Sequence, residues 1–228
     1  MEENNRNTEE FKRETVDTVN DVKETIKNVN IKKDTIETKG FVSGFFTKPL
    51  ETIKKIIDDN SGKFLKYSII ILAIWIVAAC ITRTVSLLTY TTWSFSYFFS
   101  SFLGNTLSII KSVIEPILTV LIMSIIILIF NKNRKRKLTT IITAVTTAYI
   151  PVVISEVARI LIIISSDVTK LTGPFSGFCS AITLILTYFV AKDVLGIEKH
   201  SEFLKKFILI EGCYYLVYFV LTFLEIYI

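Results

Sequence analysis

Apolar and polar positions divide this chain sharply. Before residue 41 no long apolar run occurs, whereas from residue 67 onward apolar runs alternate with short charged clusters. Crossing a hydrocarbon core of about 30 Å takes about 20 apolar residues, because an α-helix rises about 1.5 Å per residue. Five segments meet that demand, near 67–88, 109–130, 138–165, 173–191 and 207–228. The pattern predicts an all-α, polytopic membrane bundle of five transmembrane helices over 63–228, preceded by an amphipathic, cytoplasmic helical region.

The preceding region reads in two parts. Residues 1–40 are rich in Glu, Lys, Asn and Thr, with a loose ten-residue echo at Glu14-Thr15-Val16, Glu24-Thr25-Ile26 and Asp34-Thr35-Ile36. Val19, Val22, Ile26, Val29 and Ile36 recur at spacings of three and four, which predicts a thin amphipathic helix or a solvated arm. Residues 41–62 carry one greasy face (Phe41, Val42, Phe45, Phe46, Leu50, Ile53, Ile56, Ile57) together with Lys48, Lys54 and Lys55. Thr47 is placed to cap this helix, with Pro49 in its first turn. Such a basic amphipathic helix before a span is expected to lie in the headgroup plane. Gly62 is expected to end it.

Charge adds a direction. The chain is 51% hydrophobic, with mean hydropathy +0.53 and a net charge of +5. Residues 1–66 hold 13 basic and 13 acidic side chains, so the whole excess lies in the apolar part. Basic residues cluster at Lys54, Lys55, Lys63 and Lys66, at Lys132, Arg134, Lys135, Arg136 and Lys137, and at Lys192, Lys199, Lys205 and Lys206. These clusters flank alternate spans. Because cytoplasmic loops retain Lys and Arg, the expectation is a cytoplasmic N-terminus and a C-terminus outside. The basic balance points to anionic lipid headgroups as partners. Nucleic acid would require basic residues spread over a soluble face. No secretory signal pattern opens the chain. Cys80, Cys179 and Cys213 sit in apolar segments and are expected to be packing residues.

The candidate chemistry lies inside the bilayer. Counted from the cytoplasmic end of each span, Arg83 falls about 26 Å along, Glu115 about 24 Å, Lys111 about 30 Å, Glu156 about 27 Å, Arg159 about 32 Å and Glu225 about 29 Å. Three positive and three negative side chains thus share one layer near the outer leaflet. A charge in hydrocarbon costs about 2.5–3.5 kcal/mol, so these residues are expected to pair or to face a polar cavity. Pro151 removes a backbone donor and is expected to kink the third span. The hydroxyls of Thr146, Thr147 and Ser155 stand ready to satisfy the carbonyl it frees, near Thr147. Gly173, Gly177 and Ala181 form a small-residue stripe suited to close helix packing, within the chain or with a second copy. Tyr90, Trp93, Phe95, Tyr97, Phe98 and Phe99 read as an aromatic belt. Glu211, near the inner end of the last span, is expected to face the loop side.

Enzyme motifs are absent. There is no HExxH, GxSxG or Walker loop, and the single histidine, His200, lies in a charged loop between the last two spans. The expectation is a non-enzymatic protein without metal or cofactor. It is either a scaffold offering residues 1–60 to a cytoplasmic partner, or a small transporter or lipid-handling protein built on the outer polar layer.

One set of features adds a resemblance. Phe45-Phe46 and Pro49 precede the first span, a basic loop precedes Ala148-Tyr149-Ile150-Pro151 in the third, and a short charged loop joins the last two. In these features residues 45–228 resemble the YIP domain, the Ypt/Rab-interacting membrane protein family, and its bacterial members in particular. The Asp-Leu-Tyr-Gly-Pro stretch of eukaryotic members is absent. The resemblance implies a five-helix integral membrane protein associated with membrane organisation or trafficking. The Ile-, Lys- and Asn-rich composition suggests a bacterial cell membrane.

Overall fold

The computed structural model describes the backbone of residues 2–59, 62–90, 95–131, 136–164 and 172–226, with side chains described over most of that range. All elements there are helical: α1 (Glu2–Asn28), α2 (Ile31–Thr47), α3 (Pro49–Asp58), α4 (Leu65–Tyr90), α5 (Phe95–Phe130), α6 (Leu138–Ala148), α7 (Ile150–Ile164), α8 (Thr172–Leu195) and α9 (His200–Ile226). Four of them, α4, α5, α8 and α9, are long and apolar enough to cross a membrane; α6 and α7, bent at their junction, together pass the same test, which makes five if the bent pair is one span. This is the expected polytopic all-α bundle.

The third span supplies its centre. Every residue of α6 is buried, including Thr139, Thr140, Thr143, Thr146 and Thr147. Five elements, α3, α4, α5, α8 and α1, pack around it. Threonine is tolerated there because its hydroxyl can bond within the helix. Thr143, Thr146 and Thr147 each donate to the carbonyl four residues back.

At Tyr149 the span turns by 45°. Pro151 has no N–H to give the Thr147 carbonyl, so the α-helical ladder breaks as expected. Thr146 and Thr147 do not repair it. Their hydroxyls already serve Ile142 and Thr143, and the Tyr149 N–H bonds the carbonyls of Val145 and Thr146 instead. The bend is packed by Trp75 of α4, whose ring stacks on Tyr149 at 5.5 Å between centroids.

The region before the first span departs from expectation. The greasy face of α3 does not lie in headgroups: Ile53, Ile56 and Ile57 are buried against α6 and α8, at one end of the bundle. Burying that face against protein removes the same apolar surface from water that lipid would have covered. Phe46 and Leu50 stay exposed. Pro49 does open α3, but Thr47 does not cap it; its hydroxyl donates to Gly44, and Lys48 holds the cap position. Gly62 ends the segment in the left-handed region, at φ +77°.

Helices α1 and α2 are also docked, on α4 and α6 and on α3 and α4 respectively. On α1, Glu14, Thr18, Val22 and Thr25 turn inward, as does Val29 just beyond it, while Val16, Val19 and Ile26 are exposed. The predicted seam is therefore split between two faces. Helix α2 opens with a reciprocal cap: Asn30 accepts from Lys33 N–H, and Asp34 accepts from Asn30 N–H.

Two boundaries move. The charged stretch 191–206, expected as a loop, is mostly helix. Helix α8 runs to Leu195, stops at Gly196 (φ +60°), and α9 begins at His200. Phe203 is fully buried and Lys206 pairs with Glu202 one turn away, so the helix starts below the apolar segment. Helix α5 begins at Phe95, and its 36 residues far exceed a span. The aromatic side chains of 90–99 lie outside the described residues.

Candidate polar cleft near one end of the bundle

Four spans meet the layer in which the sequence places its buried charges. In α4, α5 and α9 the helical rise carries Arg83, Lys111, Glu115 and Tyr218 to similar depths. They line one cavity of about 340 Å³, walled on its apolar side by Leu118 and Leu221. Tyr218 donates its hydroxyl to Glu115 Oε1 at 2.9 Å, joining α9 to α5. Arg83 Nε donates to Ser108 Oγ at 2.6 Å, joining α4 to α5. Arg83, Lys111 and Glu115 are exposed at the mouth of the cleft. The arrangement offers two cations, a carboxylate and a phenol to a polar group entering from the side.

Of the six charges predicted for this layer, three therefore converge. Glu156 and Arg159 do not line the cleft. They form an i,i+3 ion pair on α7, at 3.4 Å, with the Glu156 side chain 16% exposed and that of Arg159 40% exposed. Thr82 of α4 approaches the Glu156 carbonyl at 3.5 Å. The side chain of Glu225 lies outside the described residues. No family model, curated protein or solved structure matches this chain.

The small-residue stripe takes no part in packing within the chain. Gly173, Gly177 and Ala181 are all exposed, and a side chain added at either glycine would meet nothing within 4 Å. Cys179 is buried as expected, but Cys213 faces outward.

At the opposite end, the basic clusters come together. Arg136 donates to Asp58 at 3.1 Å, and Lys66 reaches Asp34 at 3.1 Å and Glu37 at 2.5 Å. Lys54, Lys192 and Arg136 surround Asp193 electrostatically. Lys55 and Lys137 are exposed there, while Arg134 and Lys135 lie outside the described residues. The hydrogen bond from Lys66 holds the Asp34 carboxyl below the usual range, helped by the Asn30 N–H, and it does the same to Glu37. His200 is exposed, and its Nδ1 lies 2.9 Å from the Tyr188 hydroxyl.

Sequence reasoning missed two things. Tyr218 looked like one more aromatic in a span, although its hydroxyl meets Glu115 and so belongs to the polar layer. Glu211 was expected to face the loops. In the structure it sits about 16 Å along α9, level with the α6–α7 break, and its Oε1 is buried without a hydrogen-bond partner. Tyr149 and Tyr214 lie within its electrostatic reach.

Proposed function

We propose that this chain is a non-enzymatic, multi-pass membrane protein that handles lipid, with the Arg83–Lys111–Glu115–Tyr218 cleft holding a polar headgroup near the outer leaflet. The observation that carries this reading is the convergence of both charge signs on one open cavity between three spans. Intramembrane ionisable groups around such a cavity mark binding sites, and a phosphate suits the two cations. The N-terminus lies on the cytoplasmic side and the C-terminus outside, since the basic clusters gather at one end and such clusters stay inside. The membrane is a bacterial cell membrane on compositional grounds, and the YIP-domain resemblance fits a role in membrane organisation.

The test replaces Arg83 and Lys111 together by Gln and measures lipid retained after detergent purification and lipid exchange in vesicles. Loss of both supports the reading; full retention of both overturns it.

A scaffold is the second reading. Val16, Val19 and Ile26 form an exposed apolar ridge on docked α1, which suits a partner helix. Deleting residues 1–40 then abolishes partner capture and leaves lipid exchange intact.

A further inference from the structure

A second site lies at the end of the bundle where the basic clusters gather. One part is a polar pocket of about 400 Å³, whose walls include Lys63, Lys66, Lys137, Asp21, Glu24 and Asp34. The other is an apolar groove of about 480 Å³ along α4 and α7, lined by Ile69, Ala73, Val77, Ile81, Val157 and Ile160 among others. Val29 lines both, so they share a wall. Along α4 the one passes into the other within a turn: Leu65 and Lys66 face the pocket, Ile69 and Ile70 the groove. A polar chamber opening onto an apolar trough has the shape of a molecule with a head and a tail.

Length and charge narrow the occupant. From Ile69 to Ile81 the groove runs about 18 Å by helical rise, close to the roughly 15 Å that one leaflet contributes to the hydrocarbon core. It therefore accommodates a single leaflet's acyl chain. The chamber walls carry three ammonium and three carboxylate groups, with the Lys63 ammonium also paired to Asp59. A purely anionic headgroup would meet Asp21, Glu24 and Asp34, and a purely cationic one would meet three lysines. A zwitterion with separated phosphate and ammonium satisfies both, and the carboxylates of Asp21 and Glu24 favour an ammonium that donates hydrogen bonds. Lys66 is already held by Asp34 and Glu37, which fixes its ammonium at the pocket wall. We infer that this site binds one diacyl phospholipid of the inner leaflet with a primary-amine, zwitterionic headgroup, its chain lying along α4. The inference goes beyond the outer cleft and does not depend on it.

The test is native mass spectrometry of the full chain in detergent, titrated separately with dioleoyl phosphatidylethanolamine and dioleoyl phosphatidylglycerol. Expected is one equivalent of the ethanolamine lipid bound about tenfold tighter than the glycerol lipid, a difference easily resolved. Ala73→Trp and Val77→Trp each fill the groove from exposed positions, and each should remove that equivalent. Asp21→Lys with Glu24→Lys should reverse the preference. Equal binding of the two lipids, or unchanged binding in both tryptophan variants, overturns the inference. Loss of the equivalent in Arg83→Gln/Lys111→Gln, with retention in the tryptophan variants, places the lipid in the outer cleft and also overturns it.

Discussion

Glu14 caps a helix that begins 124 residues later: its Oε1 accepts the backbone N–H of Leu138 at 2.9 Å. Helix α6 begins at Leu138, and the side chain of Lys137 at its N-cap makes no capping hydrogen bond. An orphan N–H at a helix start needs an acceptor, and a carboxylate also suits the positive end of the helix dipole. A residue in the most polar part of the chain thus completes the most buried helix.

Glu14→Ala should cost about 0.5–2 kcal/mol, the range for a lost cap. Denaturant unfolding in detergent would read the loss, and limited trypsin digestion should cut α1 faster. Glu14→Gln keeps an acceptor and should retain most of the stability.

The Lys66 contacts predict a pH dependence. Asp34 and Glu37 have carboxyls depressed from ordinary values of 3.8 and 4.5. A depressed carboxyl contributes stability that is present above its unfolded value and is lost as pH falls through its folded value. The hold of α2 on α4 should therefore be constant above pH 4.5 and weaken as the pH falls below 3.8. Amide hydrogen exchange in α2, followed against pH, would show it. Lys66→Met should flatten the profile.

Glu211 makes the opposite prediction for a single substitution. Its Oε1 is buried and unbonded, and such a group costs about 1–3 kcal/mol. Glu211→Leu should raise stability by about that amount. An unchanged or lowered thermal midpoint in detergent would show that the carboxyl has a partner the geometry does not reveal.

At the bend, Trp75 is 7% exposed and stacked on Tyr149. Trp75→Ala should cost about 3–5 kcal/mol through the cavity it leaves. Trp75→Phe keeps an aromatic face and should cost much less. Thermal unfolding of the two variants side by side separates packing at the break from any role of the indole N–H.

Gly177 is helical, exposed and uncrowded. Gly177→Ala should stabilise the monomer by about 0.5–1 kcal/mol. Chemical crosslinking of Gly177→Ile against the parent would report whether a second copy uses that face.

The bundle itself was legible because hydrocarbon imposes length and apolarity on anything that crosses it. Pro151 told the position of the bend for the same reason: one missing N–H has a fixed consequence in a helix. The third span's centrality was not legible, since a threonine-rich apolar run reads alike whether lipid or protein surrounds it. Periodicity assigned α3 a greasy face but could not say which apolar surface would cover it. The polar layer was half legible. Counting residues gave depth, which Arg83, Lys111 and Glu115 share, but azimuth decides who meets whom. Glu156 and Arg159 pair with each other and do not line the cleft, although Glu115 and Arg83 lie within electrostatic reach of Glu156, and Tyr218, being uncharged, gave no depth alarm.

Because α6 is sheathed on every side, its five threonines never meet lipid in the finished molecule. Synthesis runs from the N-terminus, however, so α6 enters the bilayer while one of its sheathing helices, α8, has yet to be made. For that interval one flank of the future centre is bare, and α1, α3, α4 and α5 alone must hold it. Four of the elements that pack on α6, namely α1, α3, α4 and α5, precede it in the chain, so most of its sheath exists before it is made.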